Sequence, residues 1–355
     1  MESTRTRETR PRNQAITIHD TVIAPGERRT IDLPMAALYT HSPVTMPVHV
    51  IHGKFAGPRL VITAAVHGDE LNGMEIVRRL LALPSLARLR GTLIAAPIVN
   101  VLGVVHKSRY LPDRRDLNRS FPGSEQGSLA SRLAHLVCTH VIAHATHGID
   151  LHTAAIHRDN FPQIRADLDD PETLALARAF GAPVLLNAGT PHGSLRGAAV
   201  ERGVKFLVYE AGEALRFDEM AIRGGVAGIL NVMRALGMLK PGKARPAPHP
   251  AVAKQSTWVR ASTSGILRTR MPLGEHVHKN GLLGIIGSPF GEDEHELRSP
   301  FDGIVIGRTT IPLVHEGEAV FHIASLEGDK GAERVESLKS TFADDELLPD
   351  EPVIV

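Results

Sequence analysis

The chain has 355 residues, enough for two domains with a large core, and its 43% hydrophobic and 22% charged residues are typical of a globular protein. Its 40 lysines and arginines balance 39 aspartates and glutamates, so the formal net charge of +1 argues against nucleic acid as a partner. The single cysteine, Cys138, excludes an intramolecular disulfide and a cysteine-rich zinc cluster, and is typical of a reducing compartment.

The N-terminal segment contains no recognisable targeting signal. Residues 1–14, MESTRTRETRPRNQ, are polar and rich in arginine, and no apolar stretch of the kind found in signal peptides follows them. We predict that they form a disordered leader. No run in the sequence approaches the roughly 18 apolar residues that a membrane-spanning helix requires. The sequence therefore predicts a cytoplasmic protein without a membrane partner.

Residues 15–242 have the pattern of an α/β domain. Residues 15–50 alternate loosely between apolar and polar side chains, as strands at a sheet edge do. The continuous apolar runs RLVITAAV and GTLIAAPIV are typical of central strands covered on both faces, and a helical pattern lies between them. Helical and strand segments then alternate up to the long helical segment FDEMAIRGGVAGILNVMRALGML. This alternation predicts a mixed, mostly parallel sheet.

The composition changes after residue 242. Residues 243–256 are rich in proline, lysine and alanine and predict a linker. Residues 257–326 contain short β segments in two similar halves, which resemble the flattened barrel of biotinyl/lipoyl domains. In carrier domains of that type a lysine lies on the hairpin between the halves, but here the hairpin GSPFGEDEHEL has none. We predict a small all-β domain that acts as a lid, a spacer or an assembly surface, and an acidic, mostly disordered tail over 327–355.

The stretch AAVHGDELNG places His67 and Glu70 directly after an apolar strand. Neither side chain stabilises an apolar core, because a polar group buried there without a partner is costly. Histidine and carboxylate are common ligands of catalytic zinc, and GIDLHT offers His152 at the end of a second apolar strand. Because sites in open α/β sheets form at the carboxyl ends of the strands, a metal site is one interpretation. A solvated loop histidine beside an acid is the other, since the HxxE spacing alone is a weak signal.

Two further stretches are dense in polar side chains. SRYLPDRRDLNRSFPG, residues 108–123, follows the second apolar strand and has neither helical nor strand periodicity. Guanidinium groups bind carboxylates in a bidentate geometry, so this loop suits an anionic substrate; the alternative is a solvated basic loop. The segment AAIHRDNFPQIR after GIDLHT, predicted as a loop, offers His157, Arg158, Asn160 and Arg165 as further pocket residues or as ordinary surface side chains.

Four motifs in this order, HGDE, DLNRSFPG, DLHT and VYEAGE, resemble those of the succinylglutamate desuccinylase/aspartoacylase family, over about residues 45–240. The resemblance implies the three-layer α/β fold of the zinc carboxypeptidases and an amide hydrolase with one zinc ion per chain. In that family the HxxE pair and the later histidine bind the zinc, and these positions match His67, Glu70 and His152.

The resemblance also implies residues that hold the substrate. The Asn-Arg pair of the family, which holds the free carboxylate of the substrate, matches Asn118 and Arg119. The aspartate two residues before that asparagine supports a zinc-bound histidine, and Asp116 matches it. Family members usually have a proline after the asparagine that follows the second strand, but here Asn100 is followed by Val101.

Two catalytic side chains are implied in the same way, each with a competitor nearby. The arginine that polarises the scissile carbonyl matches Arg109, although Arg114 and Arg115 lie at comparable positions in the same loop. The catalytic glutamate matches Glu210, which would take a proton from the zinc-bound water and pass it to the leaving amine. Glu213 is its nearby competitor.

These residues predict a zinc-dependent amide hydrolase that deacylates an N-acyl amino acid or a related small carboxylate. A zinc carboxypeptidase that trims C-terminal residues, acidic ones among them, from peptides is the alternative among enzymes, because both activities need Arg119 to hold a carboxylate. A non-catalytic, metal-dependent binding or assembly protein, with the β domain as its working part, is the alternative from another class. The expected partner is a small-molecule carboxylate, and the sequence leaves homo-oligomerisation open.

Overall fold

The computed structural model describes residues 11–242, 250–326 and Val335. Three predicted segments lie largely or partly outside the described residues. They are the leader (residues 1–10 of it), the linker (residues 243–249 of it) and the tail (all of it except Val335). The end of the leader packs against the main body, since the Asn13 side chain donates a 2.6 Å hydrogen bond to the carbonyl of Gly53. None of the helices in the described ranges is both long and apolar enough to cross a membrane.

Strands and helices alternate through the first two thirds of the described chain, and strands alone follow. The helices are α1 (Asn72–Ala82), α2 (Val101–His106), α3 (Leu129–His140), α4 (Pro171–Phe180), α5 (Leu195–Val200) and α6 (Glu219–Ala235). The strands up to α6 are β1 (Ile16–Ile18), β2 (Thr21–Ile23), β3 (Arg28–Ala37), β4 (Pro43–His52), β5 (Arg59–Ala64), β6 (Thr92–Ala96), β7 (His147–Ala154), β8 (Arg158–Ala166), β9 (Val184–Asn187) and β10 (Lys205–Glu213). Those after α6 are β11 (Ala251–Arg260), β12 (Gly265–Thr269), β13 (His276–Val277), β14 (Leu282–Gly287), β15 (Glu294–Arg298), β16 (Gly303–Thr309), β17 (Leu313–Val314) and β18 (Ala319–Leu326).

Twelve of the described strands form one large mixed sheet between two layers of helices. Its order is β3-β4-β6-β5-β7-β10-β8-β9-β11-β18-β16-β13, with β6, β5, β7 and β10 mutually parallel at the centre. Successive residues of β5 serve opposite faces: Ile62 shares a core with Ile76 of α1 and Phe180 of α4, whereas Val61 shares a core with Leu133 of α3. The predicted α/β architecture with a mixed sheet is confirmed.

The strands after the linker extend this sheet. Strand β11 pairs parallel to β9, β18 pairs with β11, β16 pairs with β18, and the end of β16 returns to pair with β8. Because β8 also pairs with β9, these five strands close a ring. Its interior contains Phe161 of β8, Val184 of β9 and Ile306 of β16. Residues 251–256, predicted as linker, are part of β11.

The remaining C-terminal strands form a separate four-stranded sheet, β15-β14-β12-β17. Its side chains Leu267 and Ile286 share a core with Val305 and Phe321 of β16 and β18, so the small sheet packs on the ring. Residues 257–326 therefore have the predicted all-β structure, but the predicted self-contained barrel of biotinyl/lipoyl type is not confirmed. The physical reason lies in the edges of β8 and β9. Strand β16 pairs with β8 and strand β11 pairs with β9, so the C-terminal strands are divided between two sheets.

The prediction of a loop after His152 was wrong, because most of that segment is strand β8. Arg158, Asn160 and Arg165 of this strand line a cavity. Phe161 instead packs in the interior of the ring. A strand with one face against a polar cavity lacks the apolar character from which buried strands are predicted.

His322 on β18 is a buried titratable group between two strands of the ring, β11 and β16. Its side chain is buried, its Nε2 lies 2.9 Å from Ser256 Oγ, and its ring stacks on Trp258 with 4.6 Å between centroids. Burial, and secondarily the positive charge of Arg165, lowers the pKa of His322 to about 3. His322 is therefore neutral in the folded protein at pH values where the unfolded chain binds a proton.

We expect the free energy of unfolding to decrease as the pH is lowered, because of His322. Its contribution is complete above the unfolded-state pKa of 6.5 and is lost as the pH falls towards 3. At pH 5 the loss is about 2 kcal/mol relative to pH 7, and His322→Gln should remove this part of the pH dependence. Urea denaturation of both proteins at pH 7 and pH 5 measures it; the same pH dependence in wild type and variant would contradict the expectation.

Candidate metal centre and active site

The turn that follows β5 brings His67 and Glu70 to the carboxyl end of the sheet. Ala65 adopts a positive φ of 51° as the chain leaves the strand, and the Glu70 amide donates a 3.2 Å hydrogen bond to the carbonyl of His67. Gly68 lies against α2, where a Cβ would be 2.0 Å from the carbonyl carbon of Gly103. Glycine at this position therefore permits the close approach that fixes the turn.

The three predicted metal ligands meet in one buried cluster. Glu70 lies between the two histidines: its Oε1 is 2.7 Å from His67 Nδ1 and its Oε2 is 2.7 Å from His152 Nδ1. All three residues are at most 5% exposed, and their ligand atoms lie within 4.8 Å of one another. Two imidazoles and a carboxylate at this separation are a donor set that fits a metal ion.

Each histidine is held from its other side by a carboxylate. His152 Nε2 lies 2.6 Å from Asp150 Oδ2, and His67 Nε2 lies 3.2 Å from Asp116 Oδ1. Thr63 of β5 donates a 2.6 Å hydrogen bond to the second oxygen of Asp150. Carboxylates in this position orient metal-binding imidazoles and fix which ring nitrogen faces the metal. Asp116 was predicted; Asp150 was missed, although the spacing DLH puts it on the same face of β7 as the histidine.

The charges of the cluster stabilise one another. Burial opposes the ionisation of Glu70, but His67 and His152 hold the pKa of this carboxyl well below its usual range. Burial likewise opposes the protonation of His152, but Asp150 and then Glu70 raise the pKa of this imidazole above its usual value. The surroundings of the site are thus rich in carboxylate, which favours a bound cation.

Arg109 is the arginine of the loop that reaches this centre. Its Nη2 lies 3.0 Å from Asp116 Oδ2 and its Nη1 lies 3.3 Å from Glu70 Oε1. The two competing arginines, Arg114 and Arg115, have exposed side chains and do not line the cavity. The geometry therefore favours Arg109 over them as the arginine beside the reacting groups.

Asn118 and Arg119 lie in a short 3-10 segment, Leu117–Arg119, at the cavity wall. The Asn118 side-chain oxygen accepts a 2.9 Å hydrogen bond from the backbone amide of Leu195, which ties this segment to the start of α5. Arg119 has an exposed side chain whose Nη1 donates to the carbonyl of Asn118 at 2.7 Å. The remaining guanidinium donors of Arg119 are therefore available to a ligand in the cavity.

Glu210 is directed into the cavity by a β-bulge. It is the register partner of His152 in the parallel pair β10–β7, and the pairing with β8 shifts by one residue between Glu210 and Gly212. The bulge is held by Asn72 at the start of α1, whose Nδ2 donates a 3.1 Å hydrogen bond to the carbonyl of Ala211. The competing Glu213 does not line the cavity; it accepts hydrogen bonds from the backbone of His157 and from Thr310.

The cavity that joins these groups has a volume of about 330 Å³. Of the four residues expected after His152, Arg158, Asn160 and Arg165 line it and His157 does not. Arg196 of α5 and Trp258 of β11 line it too, and both were missed. Arg196 lies in a glycine-rich stretch with no recognisable anion-binding motif, and Trp258 lies beyond the predicted linker. Neither residue could therefore be identified from the sequence.

The cavity is rich in arginine with free donors. Arg196 is 5% exposed, and neither its Nη1 nor the Nε of Arg165 has a partner among the described residues. Burial and then the neighbouring charge of Arg165 lower the pKa of Arg196. Two guanidinium groups side by side repel each other, so an anionic ligand bound between them would be stabilised.

Several known proteins resemble this chain over most of its length. It is 26% identical over 297 residues to an N-alpha-acetyl-L-2,4-diaminobutyric acid deacetylase from Halomonas elongata, covering 80% of this chain and 86% of that protein. A succinylglutamate desuccinylase/aspartoacylase structure from Rhodobacter sphaeroides is 28% identical, with a TM-score of 0.76 over 85% of this chain and 96% of that one. The product-bound ectoine utilization protein EutE (DoeB) from Ruegeria pomeroyi is 25% identical, with a TM-score of 0.77 over 88% and 99% of the two chains.

Residues 56–236 match the succinylglutamate desuccinylase/aspartoacylase catalytic domain. The match contains every predicted site residue, from His67 to Glu210, and ends just after α6. The four motifs, the geometry of the centre and these similarities agree, and the chain belongs to the succinylglutamate desuccinylase/aspartoacylase family.

Proposed function

We propose that the protein is a zinc-dependent hydrolase that removes the acyl group from an N-acyl amino acid or a related small carboxylate. The observation that carries the proposal is the buried cluster of His67, Glu70 and His152 in a cavity that also contains Glu210. Two imidazoles and one carboxylate favour zinc among the divalent metals and leave a coordination position open, as catalytic sites do.

The metal and the protein would have separate tasks. A zinc ion at these ligands would supply Lewis acidity and lower the pKa of a bound water to about 7. Glu210 would accept a proton at its carboxylate and later donate it to the nitrogen of the leaving amine. Arg109 would donate N–H hydrogen bonds to the carbonyl oxygen of the amide as negative charge develops on it.

The substrate carboxylate would be held away from these reacting groups. Arg119 has free donors at the cavity wall, and Asn118 fixes the segment that carries it. Guanidinium binds a carboxylate in a fixed planar geometry, so the amide would be presented to the metal in one orientation. The unpaired donors of Arg165 and Arg196 further favour an anionic substrate over a cationic one.

The size of the cavity supports a small substrate. A volume of about 330 Å³ lies at the lower end of small-molecule sites. Trp258, from a strand beyond the catalytic domain, forms part of the wall and limits the room for a peptide. The named deacetylase relative acts on an N-acetylated amino acid, which agrees with a deacylase rather than a carboxypeptidase.

His152→Ala should abolish stoichiometric zinc binding, because it removes one of three ligands. We expect about one zinc per chain in freshly purified wild type and in the control His106→Ala, whose side chain is exposed on α2, and much less in His152→Ala. Metal analysis by mass spectrometry measures this. Wild-type protein that holds no zinc and takes none up on addition would rule out the proposed function.

Glu210→Gln should retain zinc but lose turnover. The amide cannot accept the proton, so kcat should fall by about 10²- to 10⁴-fold. The control is Glu213→Gln, which changes a glutamate outside the cavity and should stay within a few-fold of wild type. Steady-state release of amine from N-acyl amino acids is the assay. An unchanged kcat in Glu210→Gln would assign the proton transfer to another base, and no amine release by the wild type would favour a non-catalytic role for the site.

Arg119→Gln should weaken substrate binding much more than chemistry. Loss of a charged, bidentate contact predicts a KM higher by about 10- to 100-fold. The control Arg115→Gln, in the same loop but outside the cavity, should leave KM unchanged.

The substrates are N-acetyl and N-succinyl amino acids, compared with short peptides ending in Glu or Asp. Amine release from the peptides alone would select the carboxypeptidase, and equal rates for N-acetylglutamate and N-acetyldiaminobutyrate would count against an anionic preference.

A further inference from the structure

We propose that Asn160 is a positioning residue for Glu210, held in place by the C-terminal strand β16. The inference rests on the proposed function, in which Glu210 carries the proton. Asn160 Nδ2 donates a 2.8 Å hydrogen bond to Glu210 Oε2. Asn160 is 6% exposed, so water competes little for this contact. Asn160 also lines the cavity, which places the hydrogen bond beside the reacting groups.

The contact links the catalytic domain to a C-terminal strand that lies beyond this domain in the sequence. On one side of β8, Asn160 pairs with Gly212 in the bulge that directs Glu210. On the other side it pairs with Gly307 of β16, which lies beyond the catalytic domain. A single residue thus connects the carboxylate of the active site to the ring closed by the C-terminal strands.

Gly307 leaves Asn160 just enough room. A Cβ at position 307 would be 3.0 Å from Asn160 Oδ1 and 3.2 Å from the Cβ of His322. Contacts this short force the neighbour to move by a few tenths of an ångström. Glycine at this position therefore lets β16 lie close to the Asn160 side chain without displacing the amide that donates to Glu210.

Without Asn160, the other nearby charges would set the position of Glu210. Arg165 Nη1 is 3.8 Å from Glu210 Oε1. Arg196 lies close enough for an electrostatic interaction with the Glu210 carboxylate. Both arginines line the substrate cavity and have donors without partners. A glutamate free to rotate would pair with one of them, and that geometry differs from the one that accepts a proton. The amide of Asn160 holds one oxygen and thereby limits this rotation.

The turnover experiment uses full-length, zinc-loaded protein with single substitutions at Asn160, Gln163 and Gly307. Asn160→Ala should lower kcat by about 10- to 100-fold with KM within a few-fold, since a misplaced general base costs turnover rather than binding. Asn160→Asp places a second carboxylate beside Glu210, so the acidic limb of the pH–rate profile should move to higher pH. Zinc content should remain at the wild-type level in all variants.

The control is Gln163→Ala. Gln163 is a buried amide on the same strand that also contacts β16, with its Nε2 3.1 Å from the carbonyl of Ile306. It is the register partner of Glu210 in the β10–β8 pair, but its side-chain amide donates to the carbonyls of Phe161 and Ile306 rather than to the Glu210 carboxylate, and it does not line the cavity. A kcat that falls equally in Gln163→Ala and Asn160→Ala would assign the effect to general loosening of β8 and would overturn the proposal. Gly307→Ala tests the contact without altering Asn160 and should lower kcat in the same direction.

An NMR measurement that does not depend on turnover separates the positioning role of Asn160 from the proposed hydrolase function. In protein labelled with ¹³C at the glutamate carboxyl groups, the signal of Glu210 is the one that disappears in Glu210→Gln. This signal should shift in Asn160→Ala and titrate at higher pH in Asn160→Asp, with zinc absent and no substrate present. An unchanged signal together with wild-type kcat in Asn160→Ala would overturn the positioning role. A shifted signal with an inactive wild-type protein would leave the positioning role intact and contradict the proposed function.

Discussion

The interaction on which the site depends is the compensation of buried charge at the carboxyl ends of β5 and β7. Glu70 is buried between His67 and His152, and each imidazole is paired on its outer side with Asp116 or Asp150. Removing one partner from such a cluster leaves another charge buried without compensation, which is strongly destabilising. The same network also fixes the arginine-rich loop, because Asp116 belongs to that loop. The candidate metal ligands and the arginine-rich loop are therefore connected through Asp116.

The C-terminal strands contribute to the active site even though they lie outside the family's catalytic domain. They pair with β8 and β9, two strands that the central sheet leaves with available edges, and close a ring. The ring brings Trp258 into the cavity wall and Gly307 against Asn160. Edge pairing satisfies backbone groups that would otherwise be exposed, so the same hydrogen bonds that stabilise β8 also set one wall of the cavity.

The sequence predicted residues whose signals are local. His67 and Glu70 directly follow an apolar strand, and His152 ends another, so each interrupts an apolar pattern and could be singled out from its own segment. The choice between Arg109 and its neighbours Arg114 and Arg115 had no such signal, since all three have the same chemistry within one irregular loop. The structure adds the distances, and these favour Arg109, because it is the one of the three that contacts Glu70 and Asp116. Strand β8 was missed because a polar cavity on one face concealed its pattern.

By itself the sequence determined the alternation of helices and strands and the mixed sheet, and it predicted His67, Glu70 and His152 as one group. Hydrophobic periodicity and polar groups at the ends of apolar strands are properties of short segments. Only the tertiary structure decided that Asp150 and Asn160 face active-site side chains, that Arg196 and Trp258 share their cavity, and that the C-terminal strands join the large sheet. These facts depend on pairing between segments far apart in the chain. Strand edges accept any backbone partner of the right geometry, so a sequence of alternating residues does not specify which strand lies beside it.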